Sequence, residues 1–225
     1  MAGKSSSDRA AKPALDQETF IEAALRLSSR PHTLSLTYRE LGDEVGVDPT
    51  AIYRHFSSKE SLMQDLLDRL YMKALTRVST PSTDWEKCLN EFASATLETF
   101  LEHPAIAVTA TSLTTSGPGE MDSIELMVSC FHEAGLRGRD LAEQYAIYGA
   151  YLLSGAAGLA RDQAESSAPE SHEWFEGTLR ADPDRHPHAA AIRKEILVLD
   201  HREMFLAGAR QLVQAARDKV AAAGK

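Results

Sequence analysis

Three helix-start signals crowd into residues 37–57, and a chain punctuated that closely has room only for short helices joined by tight turns. Thr37-x-x-Glu40 is a capping-box pattern, Asp48-Pro49 supplies a cap followed by a first-turn proline, and Ser57-x-x-Glu60 opens a further helix. Gly46 falls where the chain must reverse between the first two. Leu41, Val45, Val47 and Ile52 are apolar at offsets that let two helices of about two turns bury one shared seam. The outer face of the second keeps Thr50, Tyr53, Arg54 and His55, side chains able to bond to phosphates and base edges. The segment from Leu36 to Leu62 therefore predicts a helix-turn-helix whose second helix lies in a DNA major groove.

The rest of the chain is also helical in pattern, so the expected fold class is all-α. Residues 1–14 are rich in Ser, Ala and Lys without periodicity and read as a disordered tail. Asp16 caps a first helix with Phe20, Ile21, Ala24, Leu25 and Leu27 at a 3.6 period, ending before Pro31. Residues 15–60 thus form a small N-terminal three-helix domain. A fourth helix with Leu62, Leu66, Leu70 and Leu75 runs to about Val78, and residues 61–80 connect the head to a C-terminal domain of residues 81–225. There, Trp85, Leu89, Phe92, Thr96 and Phe100 mark one helix, and a short piece follows from Ala105 to about Ser112. Ile124, Met127, Val128 and Phe131 mark another, closed by Gly135. A long helix spans about Arg139 to Gln163. Residues 164–187 read as a polar loop with a short helical piece at Trp174 and Phe175, and two helices, about His188–Leu199 and Arg202–Val220, finish the chain.

A formal net charge of −9 is unusual for a DNA binder until it is divided along the chain. Residues 1–80 hold 11 basic and 11 acidic side chains, and the remaining 13 basic and 22 acidic lie beyond them. Attraction to phosphate decays over about 8 Å at physiological salt, so Arg39, Arg54, Lys59 and the tail's Lys4, Arg9 and Lys12 act locally despite a distant acidic body. No apolar run long enough for a membrane span and no secretory core at MAGKSSSDRAAKPA are present, so a cytoplasmic protein without membrane contact is expected. Cys88 and Cys130 have no CxxC neighbour and read as buried thiols, with no metal site and no cofactor expected.

Within Leu34 to Leu67, the run LTYRELGDEVGVDPTAIYRHFSSKESLMQDLL, which begins at Leu36, resembles the tetracycline-repressor (TetR) family of bacterial transcriptional regulators. The Gly-Val turn, the Tyr-x-His-Phe exit, Lys59 and the Leu-rich fourth helix carry the resemblance. More loosely, Trp85, the long acidic loop and the closing block HPHAAAIRKEILVLDHREMFLAGARQLV resemble the tetracycline repressor's own subgroup. The resemblance implies an all-helical homodimer, in which a small molecule entering a cavity in each large domain changes the spacing of two DNA-reading heads. By position it places operator contacts on Thr37, Tyr38, Arg39, Thr50, Ala51, Tyr53, His55 and Lys59. Arg54 joins them because an arginine on that face can pair with guanine. Where the tetracycline repressor has a magnesium-coordinating His, this chain reads AIAVTATS, so a magnesium chelate is not the expected ligand.

Core helices rarely need several hydroxyls, because a buried hydroxyl without a partner costs about 1–3 kcal/mol. Phe92, Thr96, Phe100, Thr109, Leu113, Met127, Phe131, Tyr145 and Tyr148 are accordingly the candidate lining of a largely apolar effector pocket; the alternative is plain core packing. Small residues between Gly149 and Gly158, and the apolar face of the last helix, suit a two-fold interface made from helices 139–163 and 202–220. No Gly-rich phosphate loop, GxSxG or HExxH occurs, and no enzymatic activity is expected. The expected function is a ligand-responsive regulator, a repressor in the first instance, binding a palindromic double-stranded operator as a homodimer and released by a small effector. Two other readings stay open: a DNA-binding regulator without a ligand, and a helical ligand-binding module without DNA function.

Overall fold

The computed structural model describes residues 15–165 and 180–223, and every element among them is helical. Helix α1 (Gln17–Ser28) starts where Asp16 accepts the Thr19 amide at 2.9 Å, and it turns Phe20, Ile21, Ala24 and Leu27 into the core. Helix α2 (Tyr38–Val45) opens with the expected reciprocal cap: the Thr37 hydroxyl accepts the Glu40 amide, and the Glu40 carboxylate accepts the Thr37 amide at 3.0 Å. Gly46 then takes a left-handed conformation, φ 78°, which costs a residue with a Cβ about 1–2 kcal/mol, and the Gly46 and Val47 amides both close on the Gly42 carbonyl. Arg26 of α1 and Arg30 just beyond its end reach Glu44, tying the first two helices on their outer side.

The element after the turn departs from expectation. A third α-helix is expected, whereas Pro49–Arg54 forms a 3-10 helix. Asp48 holds the Thr50 amide at its start, and Ile52 and Phe56 are sunk into the core close behind it, leaving six residues to be wound between fixed ends. The tighter winding fits that short span. Helix α3 (Lys59–Leu75) begins one residue later than its sequence pattern suggests, because Ser58 rather than Ser57 accepts the capping amide, from Ser61 at 3.0 Å. It also stops at Leu75, short of Val78. α3 packs against α1, where Gln17 donates to Asp65 and Arg69 pairs with Glu18, and against α4, α5 and α6, so one helix belongs to both halves of the molecule.

The body is built from α4 (Trp85–Glu102), α5 (Pro104–Ala107), α6 (Pro118–Glu133) and α7 (Gly138–Glu165), then α8 (Pro187–Ala191), α9 (Arg193–Ile196) and α10 (His201–Ala223). α7 packs across α4, α5 and α6, and α10 closes the bundle against α4 and α7. A single helix is expected over about 188–199; a break at Ile192 makes it two short ones. Tyr151 stacks on Phe205 at 5.5 Å between α7 and α10, its hydroxyl donating to the Phe205 carbonyl. Cys88 and Cys130 are free and buried in the body core, burial raising both thiol pKa values. The N-terminal tail and the Trp174–Phe175 piece lie outside the described residues. Among the described residues no helix is long and apolar enough to cross a membrane, and no cluster of His, Cys, Asp and Glu is grouped to hold a metal ion.

Candidate nucleic-acid interface and cavity

The predicted DNA-contacting side chains of the head are not equally available. Arg39, Tyr53, Arg54 and Lys59 are exposed, and among the described residues none of the three cations is engaged by a carboxylate. Tyr53 leaves 61% of its surface to solvent, a large exposure for an aromatic side chain, and its ring is braced edge-on by Tyr38 at 4.9 Å. Tyr38 is half-buried, with a hydroxyl that is sealed and unpaired; burial raises its pKa. Its part is to hold Tyr53 upright.

Other predicted contacts are committed elsewhere. The Thr37 hydroxyl donates to Glu40 at 2.6 Å within the cap, and the Thr50 hydroxyl donates to Asp48 at 2.5 Å. His55 is half-buried with its ring on Phe20, 5.1 Å between centroids, so it fastens the 3-10 helix to α1. Ala51 is half-buried beside the exposed Thr50. What the head leaves exposed is thus an aromatic projection, Tyr53, and three basic side chains, groups that suit a duplex groove flanked by phosphates.

Within the body, a cavity of about 350 Å³ lies among α3, α4, α6 and α7. Of the predicted ligand residues, Phe92, Thr96, Met127 and Tyr145 line it. Phe100, Phe131, Tyr148, Thr109 and Leu113 do not. Phe131 and Tyr148 pack edge-on at 5.6 Å, and the Tyr148 hydroxyl donates to the Leu89 carbonyl at 2.6 Å, so this pair is core with its polar atom satisfied. Phe100 is fully buried against Tyr71, and the Thr109 hydroxyl returns to the Ile106 carbonyl. Sequence reasoning missed Tyr71, Glu120 and Ser123, which also face the cavity. Tyr71 belongs to α3, and burial, with the Glu120 and Asp68 charges, pushes its phenol pKa far up. The signal that could have found Ser123 is a serine inside an otherwise apolar helical face.

One turn before Tyr71 on α3 sits Asp68, a buried carboxylate. It accepts the Gly119 amide at 3.1 Å, the Glu120 amide at 2.9 Å and the Thr115 hydroxyl at 2.9 Å. These are unpaired first-turn amides of α6, so α3 supplies the N-terminal cap of a helix that forms the opposite cavity wall. The approach is close: a Cβ on Gly119 would run into the Asp68 backbone oxygen. A larger cleft of about 570 Å³ lies between head and body, beside Lys73 and His103. Its polar groups are already matched. His103 bridges the Ser28 hydroxyl and the Lys73 ammonium at 2.9 Å each, Lys73 pairs with Glu102, and Arg30 pairs with Glu44. Burial, with Lys73 alongside, pushes the His103 pKa down to about 4.

Comparison with known proteins bears on both sites. Residues 20–66 match the family model described as bacterial regulatory proteins, tetR family. The chain is 25% identical over 148 residues to the HTH-type transcriptional repressor DrrR1 of Streptomyces coeruleorubidus, covering 66% of this chain and 55% of that one. It is 27% identical over 143 residues to an HTH-type transcriptional regulator of Saccharopolyspora erythraea, covering 63% and 60%. These alignments thus span little more than half of the curated relatives' length. Among solved structures, a TetR transcriptional regulator from Streptomyces coelicolor superposes with a TM-score of 0.69 at 23% identity, over 91% of this chain and 98% of that one. ActR from the same organism, in complex with actinorhodin, gives 0.75 at 18% identity, over 92% and 98%. At these identities the structural likeness establishes the fold.

Proposed function

Because residues 20–66 match the family model of bacterial regulatory proteins, tetR family, we propose that this chain is a ligand-responsive repressor of that family that binds a palindromic operator as a homodimer and leaves it when a small, largely apolar effector fills the body cavity. In this reading residues 15–60 are the DNA-reading head, 61–80 the connection and 81–225 the effector and dimer domain. The observation that carries it is the double membership of α3, which packs on α1 of the head at Asp65 and Arg69 while Tyr71 forms part of the cavity wall. An effector that fits only one position of α3 then binds one head spacing better than the other, and that difference in affinity sets how far operator binding falls.

A homodimer is supported by the outer face of α7, where Ala142, Ile147 and Ser154 stay exposed in this single chain. Small side chains with one large apolar residue among them allow close helix approach across a two-fold axis. The neighbour ActR, solved with actinorhodin, supports a cavity that takes an organic effector. The test begins by selecting genomic fragments with the purified protein and titrating the best one in gel shifts. Tyr53→Ala is expected to weaken that complex about tenfold or more while sedimentation still reports the wild-type oligomer. Unchanged affinity removes Tyr53 from the interface, and failure to retain any fragment at low salt overturns the DNA-binding reading.

A further inference from the structure

Several hydroxyls on the helices of this bundle return to their own backbone. Thr99 donates to the Ala95 carbonyl at 2.8 Å, Ser129 to Leu126 at 3.0 Å and Thr76 to Lys73 at 2.7 Å. Thr96 and Ser123 do not. They stand on α4 and α6, with 2% and 4% of their surface exposed, and neither hydroxyl has a hydrogen-bond partner. Both line the same cavity. An unpaired buried hydroxyl is destabilising, so two of them at one void mark places where a ligand's polar atoms complete the structure.

The rest of the lining restricts what those atoms can belong to. Tyr71, Phe92 and Tyr145 supply aromatic surface from three helices. No Lys, Arg or His lines the cavity, so an anion would enter without a counter-charge. Glu120 is the charged lining residue, and one oxygen of its carboxylate accepts the Thr115 and Ser116 amides at 2.7 and 2.6 Å. The site therefore disfavours an anion.

Resting on the reading of this cavity as the effector site, we infer that the effector is a flat aromatic compound without negative charge, carrying two hydrogen-bonding oxygens, hydroxyl or carbonyl, one met by Thr96 and the other by Ser123. A hydroxyl side chain serves as donor or acceptor, so either kind of oxygen is satisfied. The aromatic surfaces provide most of the contact area, and the two oxygens set orientation and selectivity.

The test uses the full chain with three size-matched probes, dihydroxynaphthalene, naphthalene and naphthoate, followed by calorimetric titration and thermal unfolding. Dihydroxynaphthalene is expected to bind at least about tenfold more tightly than either of the others. The Thr96→Val, Ser123→Ala double variant should lose about tenfold in dihydroxynaphthalene affinity for each hydroxyl removed, and keep wild-type affinity for naphthalene. Its ligand-free unfolding midpoint should rise by about 2–4 °C, because unpaired polar atoms have been removed. Thr96→Ser should retain binding. Wild-type affinity for dihydroxynaphthalene in the double variant, or a lowered midpoint, overturns the role of the two hydroxyls while leaving the cavity as an effector site. Equal binding of naphthoate overturns the exclusion of anions. If none of the three probes binds, the aromatic ligand class and the cavity assignment fail together.

Discussion

Asp68→Asn is the substitution that most directly separates the mechanical role of α3 from its role in folding. The carboxylate takes three donors, the Gly119 and Glu120 amides and the Thr115 hydroxyl, at 2.9–3.1 Å. A hydrogen bond to a charged acceptor is worth about 1.5–3 kcal/mol, and a neutral one about half of that. Asparagine keeps one acceptor oxygen and replaces the other with a donor that faces donors, so about 2–3 kcal/mol should be lost at this joint. For a chain of 225 residues that loss corresponds to a fall of roughly 4–12 °C in the unfolding midpoint. The loss should also be local, with hydrogen exchange at the Gly119 and Glu120 amides accelerated by at least about tenfold while amides in the middle of α4 change only with global stability. In gel shifts the variant should still hold the selected operator fragment, since the head is untouched, but a cavity-bound compound should release it less completely. A midpoint within about 1 °C of wild type and unchanged exchange at those amides would refute the reasoning that Asp68 caps α6. Normal stability loss with full release would instead show that the head is moved by another route.

Acid stability should carry a separate signature from His103. Its pKa is about 4 in the folded chain and 6.5 when unperturbed, so between those values the unfolded state binds the proton and the folded state does not. Stability from this group is therefore complete above about pH 6.5 and declines as pH falls toward 4, by about 2 kcal/mol at pH 5. Urea unfolding of wild type and His103→Asn at neutral and acid pH should give a steeper acid loss in wild type, and parallel curves would count against it. Arg54→Ala should lower operator affinity and reduce the salt dependence of binding by about one phosphate contact; an unchanged slope would place Arg54 on a base or off the DNA. Ile147, 53% exposed on α7, should mark the dimer face: Ile147→Glu is expected to shift sedimentation to the monomer and abolish tight operator binding, whereas an intact dimer would move the interface elsewhere.

The head was legible because its information is local. Caps at Asp16 and Thr37, the turn at Gly46 and the buried seam of Leu41 and Ile52 depend on neighbours within a few residues, and each appears in the structure with the partner its spacing demands. The 3-10 helix was not legible for the same reason: its winding is fixed by how deeply Ile52 and Phe56 are held, which is a tertiary fact. His55 shows the limit at single-residue scale. The sequence puts it on the exposed face, but the ring of Phe20 lies within reach and takes it.

The cavity was only half legible, because an aromatic or hydroxyl residue on an apolar stripe has the same pattern whether it fills a core or lines a void. Tyr148 and Thr99 look like ligand residues until their hydroxyls are followed to Leu89 and Ala95. Thr96 and Ser123 look no different, yet theirs lead nowhere. Tyr71 was hidden for a further reason, since it sits in the leucine-rich run of α3 that the head's own pattern already explains. The Asp68 cap brings this stretch of α3 against α6, and no periodicity within either helix encodes that meeting. The coupling between cavity and head therefore resides in the packing of α3 on α6, and a substitution such as Gly119→Ala, whose Cβ would strike the Asp68 backbone, should disturb both operator release and stability even though it adds one methyl group and touches neither DNA nor effector. Wild-type release and midpoint in that variant would show that the two helices are free to separate, and the lever would have to be sought elsewhere.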